Sequence, residues 1–140
     1  MVMAVSDSSA TLDHQIILAR DKSESAEFLT RILGLAPAQP QSIFLAVRLS
    51  NSTTVLFKSV SEEFPGQHYA FRVQPAKFHT VLSRVQDLGV RYWSTPRGGG
   101  VGETYDLNGE TGFYFHDPSG HQLEVLTDTA GLEELAAARD

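Results

Sequence analysis

The chain has 140 residues, 41% hydrophobic, and no cysteine. That length allows one compact domain or two small modules, and it excludes separate catalytic and cofactor domains. Eleven Lys and Arg against seventeen Asp and Glu give a net charge of −6. This disfavours duplex nucleic acid and anionic membranes as partners. Disulfides, thiolate metal sites and cysteine nucleophiles are excluded. No apolar run reaches the length of a membrane span. The start lacks a basic segment followed by an apolar one, so no signal peptide is predicted, and a cytoplasmic location fits.

The residues to about Ala10 are small and polar and read as a frayed end. Leu12 to Ala19 reads as a buried strand. Asp21, with Glu24 three positions on, resembles a capping box. Ala26, Leu29, Ile32 and Leu33 recur at helical spacing, and Gly34 suits the left-handed end of that helix. Pro37 and Pro40 block a helical restart. Ile43–Leu49 and Thr53–Val60 read as strands joined by a turn at Asn51-Ser52.

After Pro65-Gly66 the pattern begins again. His68 to Val73 reads as a strand, and Pro75 opens a second helix where its missing N–H costs nothing. Phe78, Val81, Leu82, Val85 and Leu88 form the apolar face of that helix, and Gly89 stops it. Tyr92 lies in a short strand. Pro96 to Gly102 holds four glycines and reads as a mobile loop or lid, with Arg97 at its start. Glu103–Leu107 and Gly112–His116 read as paired strands joined through Asn108-Gly109. Asp117 to Gly120 is a turn, His121–Thr127 the last core strand, and Leu132–Ala138 a short helix.

The internal repeat is the most informative feature. His14 precedes the start of helix one by seven residues, and His68 precedes the start of helix two by seven. The two glycine stops follow these histidines by twenty and twenty-one residues. Two modules, 11–60 and 67–127, with a helical tail over 128–140, account for the spacing. Neither module is large enough to cover both faces of its own sheet.

Strand alternation puts His14, Ile16 and Leu18 on one face, and His68, Ala70 and Arg72 on one face of the equivalent strand. In the last strand Gln122, Glu124 and Leu126 point the same way. Two imidazoles and one carboxylate on matching faces are the donor set of a facial triad for a divalent metal. The same residues also read as structural histidines and an ordinary ion pair. Glu124, however, sits between Leu123 and Val125, in a strand too apolar for an open surface, and a buried carboxylate needs a cation or hydrogen-bond donors.

Leu12-Asp13-His14, the strand His68-Tyr69-Ala70-Phe71-Arg72-Val73, and Tyr114-Phe115-His116-Asp117-Pro118-Ser119-Gly120-His121-Gln122-Leu123-Glu124-Val125 together resemble the vicinal oxygen chelate superfamily. Its members include glyoxalase I, extradiol dioxygenases and the fosfomycin and bleomycin resistance proteins. The resemblance runs from about Thr11 to Thr127. It implies an α+β fold of paired βαβββ modules forming a cupped, partly open, barrel-like sheet. It also implies His14, His68 and Glu124 as ligands of one divalent metal (Fe, Mn, Ni, Co or Zn) and a small oxygen-chelating substrate. The first reading is a metal-dependent enzyme acting on such a substrate, with extradiol-type ring cleavage as the case for iron(II). The alternatives are a thiol transferase of the fosfomycin-resistance type, a glyoxalase-like lyase, and a metal-free drug-binding protein. A fourth ligand, expected in glyoxalase I from a strand of the first module, is missing from Thr53–Lys58.

In this family a tyrosine placed like Tyr114 lines the metal cup and hydrogen-bonds the bound ligand, although Tyr114 also reads as core. His116 shares its face and is an acid–base or a structural candidate. Arg72 either binds an anionic substrate group or pairs with a glutamate. Trp93, Tyr92 and Tyr105 read as an aromatic wall or as packing. Small relatives pair module one of one chain with module two of another. A homodimer with shared sites is therefore expected, with His14 from one chain and His68 and Glu124 from the other.

Overall fold

The computed structural model describes residues 9–50 and 52–139. The end expected to fray, up to residue 8, and Asn51 of the expected turn lie outside the described residues. The described residues divide into two compact units, those up to 31 with 35–62, and 32–34 with those from 63 onward.

In the first unit β1 (His14–Ala19) leads to α1 (Lys22–Leu33), followed by β2 (Gln39–Gln41), β3 (Phe44–Arg48) and β4 (Thr54–Ser59). Asp21 caps α1: its Oδ1 accepts from the backbone N–H of Ser23 at 2.9 Å and of Glu24 at 3.2 Å. This satisfies two donors that the first helical turn leaves without partners. The strands form one sheet in the order β1-β4-β3-β2, with β1 and β4 parallel and the other pairs antiparallel. Strand β2 is an addition to the sequence reading. It is three residues long with Pro40 in its middle, and it survives because an edge position asks proline for no second ladder bond. Ile17 and Ala19 are buried, while His14 and Ile16 on the opposite face of β1 are exposed.

The second unit repeats this plan. β5 (His68–Arg72) leads to α2 (Pro75–Asp87), then β6 (Tyr92–Trp93), β7 (Tyr105–Leu107), β8 (Glu110–His116), β9 (Gln122–Asp128) and α3 (Thr129–Arg139). The order β5-β9-β8-β6 matches that of the first sheet position for position, again with the first and last strands parallel. β7 is extra and pairs with β8. Asn108 and Gly109, both at positive φ (53° and 78°), turn β7 into β8 as a two-residue hairpin of this kind requires. Helix α2 has Pro75 at its first position and buries Phe78, Val81 and Val85. Phe78 packs edge-on against Phe113 of β8, with ring centroids 5.7 Å apart. These are paired βαβββ modules with mixed sheets. α3 starts three residues earlier than the sequence pattern suggests, because Thr129 follows β9 directly.

The glycine-rich segment is a hydrogen-bonded turn. Ser94 N–H donates to Gly99 O at 3.1 Å, Gly98 N–H to Thr95 O at 3.1 Å, and Gly102 N–H to Tyr92 O at 2.8 Å. Gly100 sits at φ 70°, where a Cβ would also fall 1.9 Å from Ser94 Oγ. The glycines therefore answer to a tight backbone path. Among the described residues no helix is long and apolar enough to cross a membrane.

Candidate metal centre and its tyrosines

The candidate site is built on one face of the second sheet. Register places Gln122 opposite both His68 and His116, and Glu124 opposite both Ala70 and Tyr114. Residues opposite one another share a face, so His68, Glu124, Tyr114 and His116 all project to the same side. The alternation expected from sequence is what the ladder shows. Leu123 and Val125, on the other side, are buried.

His68 Nε2 lies 2.9 Å from Glu124 Oε1. The histidine side chain is 45% exposed and the carboxylate 13%. A nearly buried carboxylate needs more than one donor. Tyr105, from the extra strand β7, supplies the second through a hydrogen bond from its hydroxyl to Glu124 Oε2. Burial, reinforced by the bond to Glu124, raises the Tyr105 phenol above its usual range. Burial raises Tyr114 as well, followed by the charge of Glu124 and a hydrogen bond to it. Both phenols therefore stay protonated at neutral pH and can only donate to the carboxylate. Their rings lie 5.6 Å apart, and Tyr114 meets His68 edge-on at 5.8 Å.

Room for Tyr105 comes from Gly112, its partner across the β7–β8 ladder. A Cβ at Gly112 would fall 2.5 Å from the Tyr105 hydroxyl and 2.6 Å from Val125 O. The second of these is backbone and cannot swing away. Gly112→Ala is expected to cost about 1–3 kcal/mol in urea denaturation, as overpacked core positions do. It should also displace Tyr105. A variant as stable as the parent would show that the ring does not need the bare position.

His14 opens β1 in the first unit, and its Nδ1 lies 2.8 Å from Asp13 Oδ2. The structure thus brings together two of the three expected ligands, His68 and Glu124. Among the described residues no group of three or more His, Asp or Glu side chains is placed to hold a metal. Arg72 forms an ion pair with Glu110, the glutamate alternative for this residue. His116 is exposed and stands edge-on to Trp93 at 4.9 Å. Tyr105 is the residue whose role the sequence left undecided between wall and packing.

The fit of this pair to an ion can be tested on distance. Two donors each about 2.1 Å from a metal and at right angles to each other stand about 3.0 Å apart. The His68–Glu124 separation is 2.9 Å, which suits both that arrangement and the direct hydrogen-bonded ion pair that the two side chains form in this structure. An imidazole nitrogen and a carboxylate oxygen suit a first-row divalent cation, and the hydroxyl behind the carboxylate is the outer hydrogen bond that ligating carboxylates usually have. The first sheet offers no matching carboxylate. His14 pairs with Thr54 as His68 pairs with Gln122, so the counterpart of Glu124 is Leu56.

Comparison with known proteins bears on the fold and the family. No family model matches the chain. Among solved structures, the oxidase ChaP-H1 is 36% identical with a TM-score of 0.82, covering 88% of this chain and 99% of its own. The oxidase ChaP-H2 is 38% identical with a TM-score of 0.80, covering 85% and 94%. Among curated proteins, the glutathione transferase FosA of Serratia marcescens is 26% identical over 136 residues, 93% of this chain and 89% of its own. With the repeated βαβββ topology, these relatives show that the chain belongs to the vicinal oxygen chelate superfamily of glyoxalase- and dioxygenase-like enzymes.

Proposed function

We propose that the protein is a divalent-metal-dependent enzyme acting on a small substrate that chelates the metal through two oxygens. His68 and Glu124 are two of the ligands, and His14 of a second copy is the third. The observation that carries this reading is the 2.9 Å approach of His68 Nε2 to Glu124 Oε1 on a carboxylate backed by Tyr105. Two further observations support sharing between copies. His14 and Ile16 leave an exposed face on β1, with Ile16 46% exposed. His68, Ala70 and Arg72 leave the corresponding face exposed on β5. A second copy of the chain would bury both faces in one symmetric step.

A divalent ion held there supplies Lewis-acid polarisation of the chelating oxygens and, as iron(II), redox chemistry toward O₂. The remaining work falls to the chain. Tyr105 holds Oε2 of Glu124 and so turns Oε1 toward His68 and the open face. Tyr114, protonated and on the same face, moves its one donated hydrogen bond from Glu124 to a substrate oxygen and steadies charge developing there, while Tyr105 keeps the carboxylate satisfied. The apolar strand around Glu124 keeps water away from the carboxylate.

Similarity to two oxidases, stronger than that to the transferase, favours oxidative chemistry on a catechol-like substrate. Thiol transfer to an electrophile is the second reading, favoured by the resemblance to FosA. Metal analysis of protein purified without added metal, followed by oxygen-uptake assays with catechols, tests the proposal. The expected result is about one divalent ion per chain and oxygen consumption. Thiol–epoxide adduct formation without oxygen uptake would replace the first reading by the second. In the same assay Tyr114→Phe should keep its metal and lose about 10²-fold in turnover, the cost of one lost transition-state hydrogen bond. Unchanged kcat/KM would remove Tyr114 from the mechanism.

A further inference from the structure

We propose that a hollow on the second sheet, beside the His68–Glu124 pair, is a subsite for an oxyanion group carried on a flat apolar body. The hollow has a volume of about 430 Å³ and is lined by Arg91, Trp93, Pro96, Arg97, His116 and Gln122. Gln122 stands opposite His68 in one ladder and His116 in the other, so the hollow adjoins the candidate metal ligands on the same face. The subsite rests on the proposed function only for the identity of the substrate it would orient.

The case is one of donors left over. In a chain of net charge −6, two of the eleven cationic side chains converge on one hollow. Arg91 and Arg97 are exposed, and neither has an ion pair or a side-chain hydrogen bond to another described residue, so both guanidinium groups are open to a ligand in the hollow. The side chains of Gln122 and His116 likewise have no hydrogen-bond partner among the described residues, and His116 only meets the Trp93 ring. Trp93 is 6% exposed, and its buried indole N–H also lacks a partner among the described residues. A buried donor without an acceptor is rare enough in folded proteins to ask for a cause. Guanidinium groups favour carboxylate and phosphate, which accept two parallel hydrogen bonds. The Trp93 ring and Pro96 supply an apolar wall for the body that carries the anion.

The bonded turn at residues 94–99 gives the hollow a fixed rim. Gly99 N–H donates to Thr95 Oγ1 at 2.8 Å, and Arg97 lies within this closed turn. The arginine is therefore presented from a defined backbone, which lowers the ordering cost of binding.

Trp93 is the single tryptophan of the chain, so its fluorescence reports on the hollow directly. Chelator-treated protein is titrated with benzoate, phenyl phosphate and the neutral benzyl alcohol. The expected result is a saturable change with one or both anions and none with the alcohol, the tighter anion telling carboxylate from phosphate. Arg91→Gln with Arg97→Gln should weaken that binding at least tenfold. Arg31→Gln with Lys77→Gln, an equal change of charge on the helices, should leave it unaltered. Absence of a saturable response, an equal response to benzyl alcohol, or full affinity in the double arginine variant would overturn the subsite. The titration contains no metal, so failure of metal binding leaves its outcome intact. A negative titration beside intact metal binding overturns the subsite alone.

Discussion

His68→Ala is expected to abolish stoichiometric binding of a divalent metal and, with it, turnover, while leaving the fold essentially as stable as before. The side chain is 45% exposed, and its one side-chain hydrogen-bond partner among the described residues is Glu124, so little packing is lost on truncation. Strand β5 holds its place through a five-residue parallel ladder with β9, which involves backbone groups only. Glu124 keeps its hydrogen bond from Tyr105 and is not left as a bare buried charge. What disappears is the imidazole nitrogen, and no other His, Asp or Glu among the described residues is grouped with Glu124 to replace it. Equilibrium dialysis or calorimetry with Mn, Fe, Ni, Co and Zn reads the affinity, and thermal melting reads the fold. Full occupancy with unchanged affinity in a folded His68→Ala protein would remove this residue from the ligand set.

Much of this site was legible because strand alternation is a local rule. Once His68–Val73 and His121–Thr127 read as strands with Tyr69, Phe71, Leu123 and Val125 on the packed side, His68 and Glu124 fell on the other, and the ladder places them on one face. The repeat was legible for a related reason. Histidine, helix start and glycine stop recur at fixed intervals, and the two sheets show the same strand order. Alternation is silent on register and on contacts between distant strands. It placed Arg72 on the site face but did not choose between substrate and Glu110, a choice made by a contact thirty-eight residues away.

Tyr105 was undecided for the same reason. Its role depends on β7 folding back over β8, and the available signal was Gly112, a bare position inside a strand of aromatic residues. Strand β2 offered even less, since three residues around a proline carry no period. The four glycines of residues 98–102 suggested mobility by composition. The bonds that close the turn run between backbone groups, which composition does not describe.

The most direct test of the shared metal site is restoration by mixing. His14→Ala protein and Glu124→Ala protein each lack one ligand at every site, so each alone should be inactive and bind no metal stoichiometrically. In a mixed dimer with shared sites, one site receives both defects, and the other keeps His14, His68 and Glu124 intact. After subunit exchange, confirmed by differently tagged chains, half of the mixed dimer's sites should bind metal and turn over substrate. Random exchange of equal amounts makes half of all dimers mixed, so about one quarter of the parent activity is the expected yield. If exchange is complete and neither metal binding nor activity returns, His14 does not join His68 and Glu124 across two copies, and the shared centre is wrong.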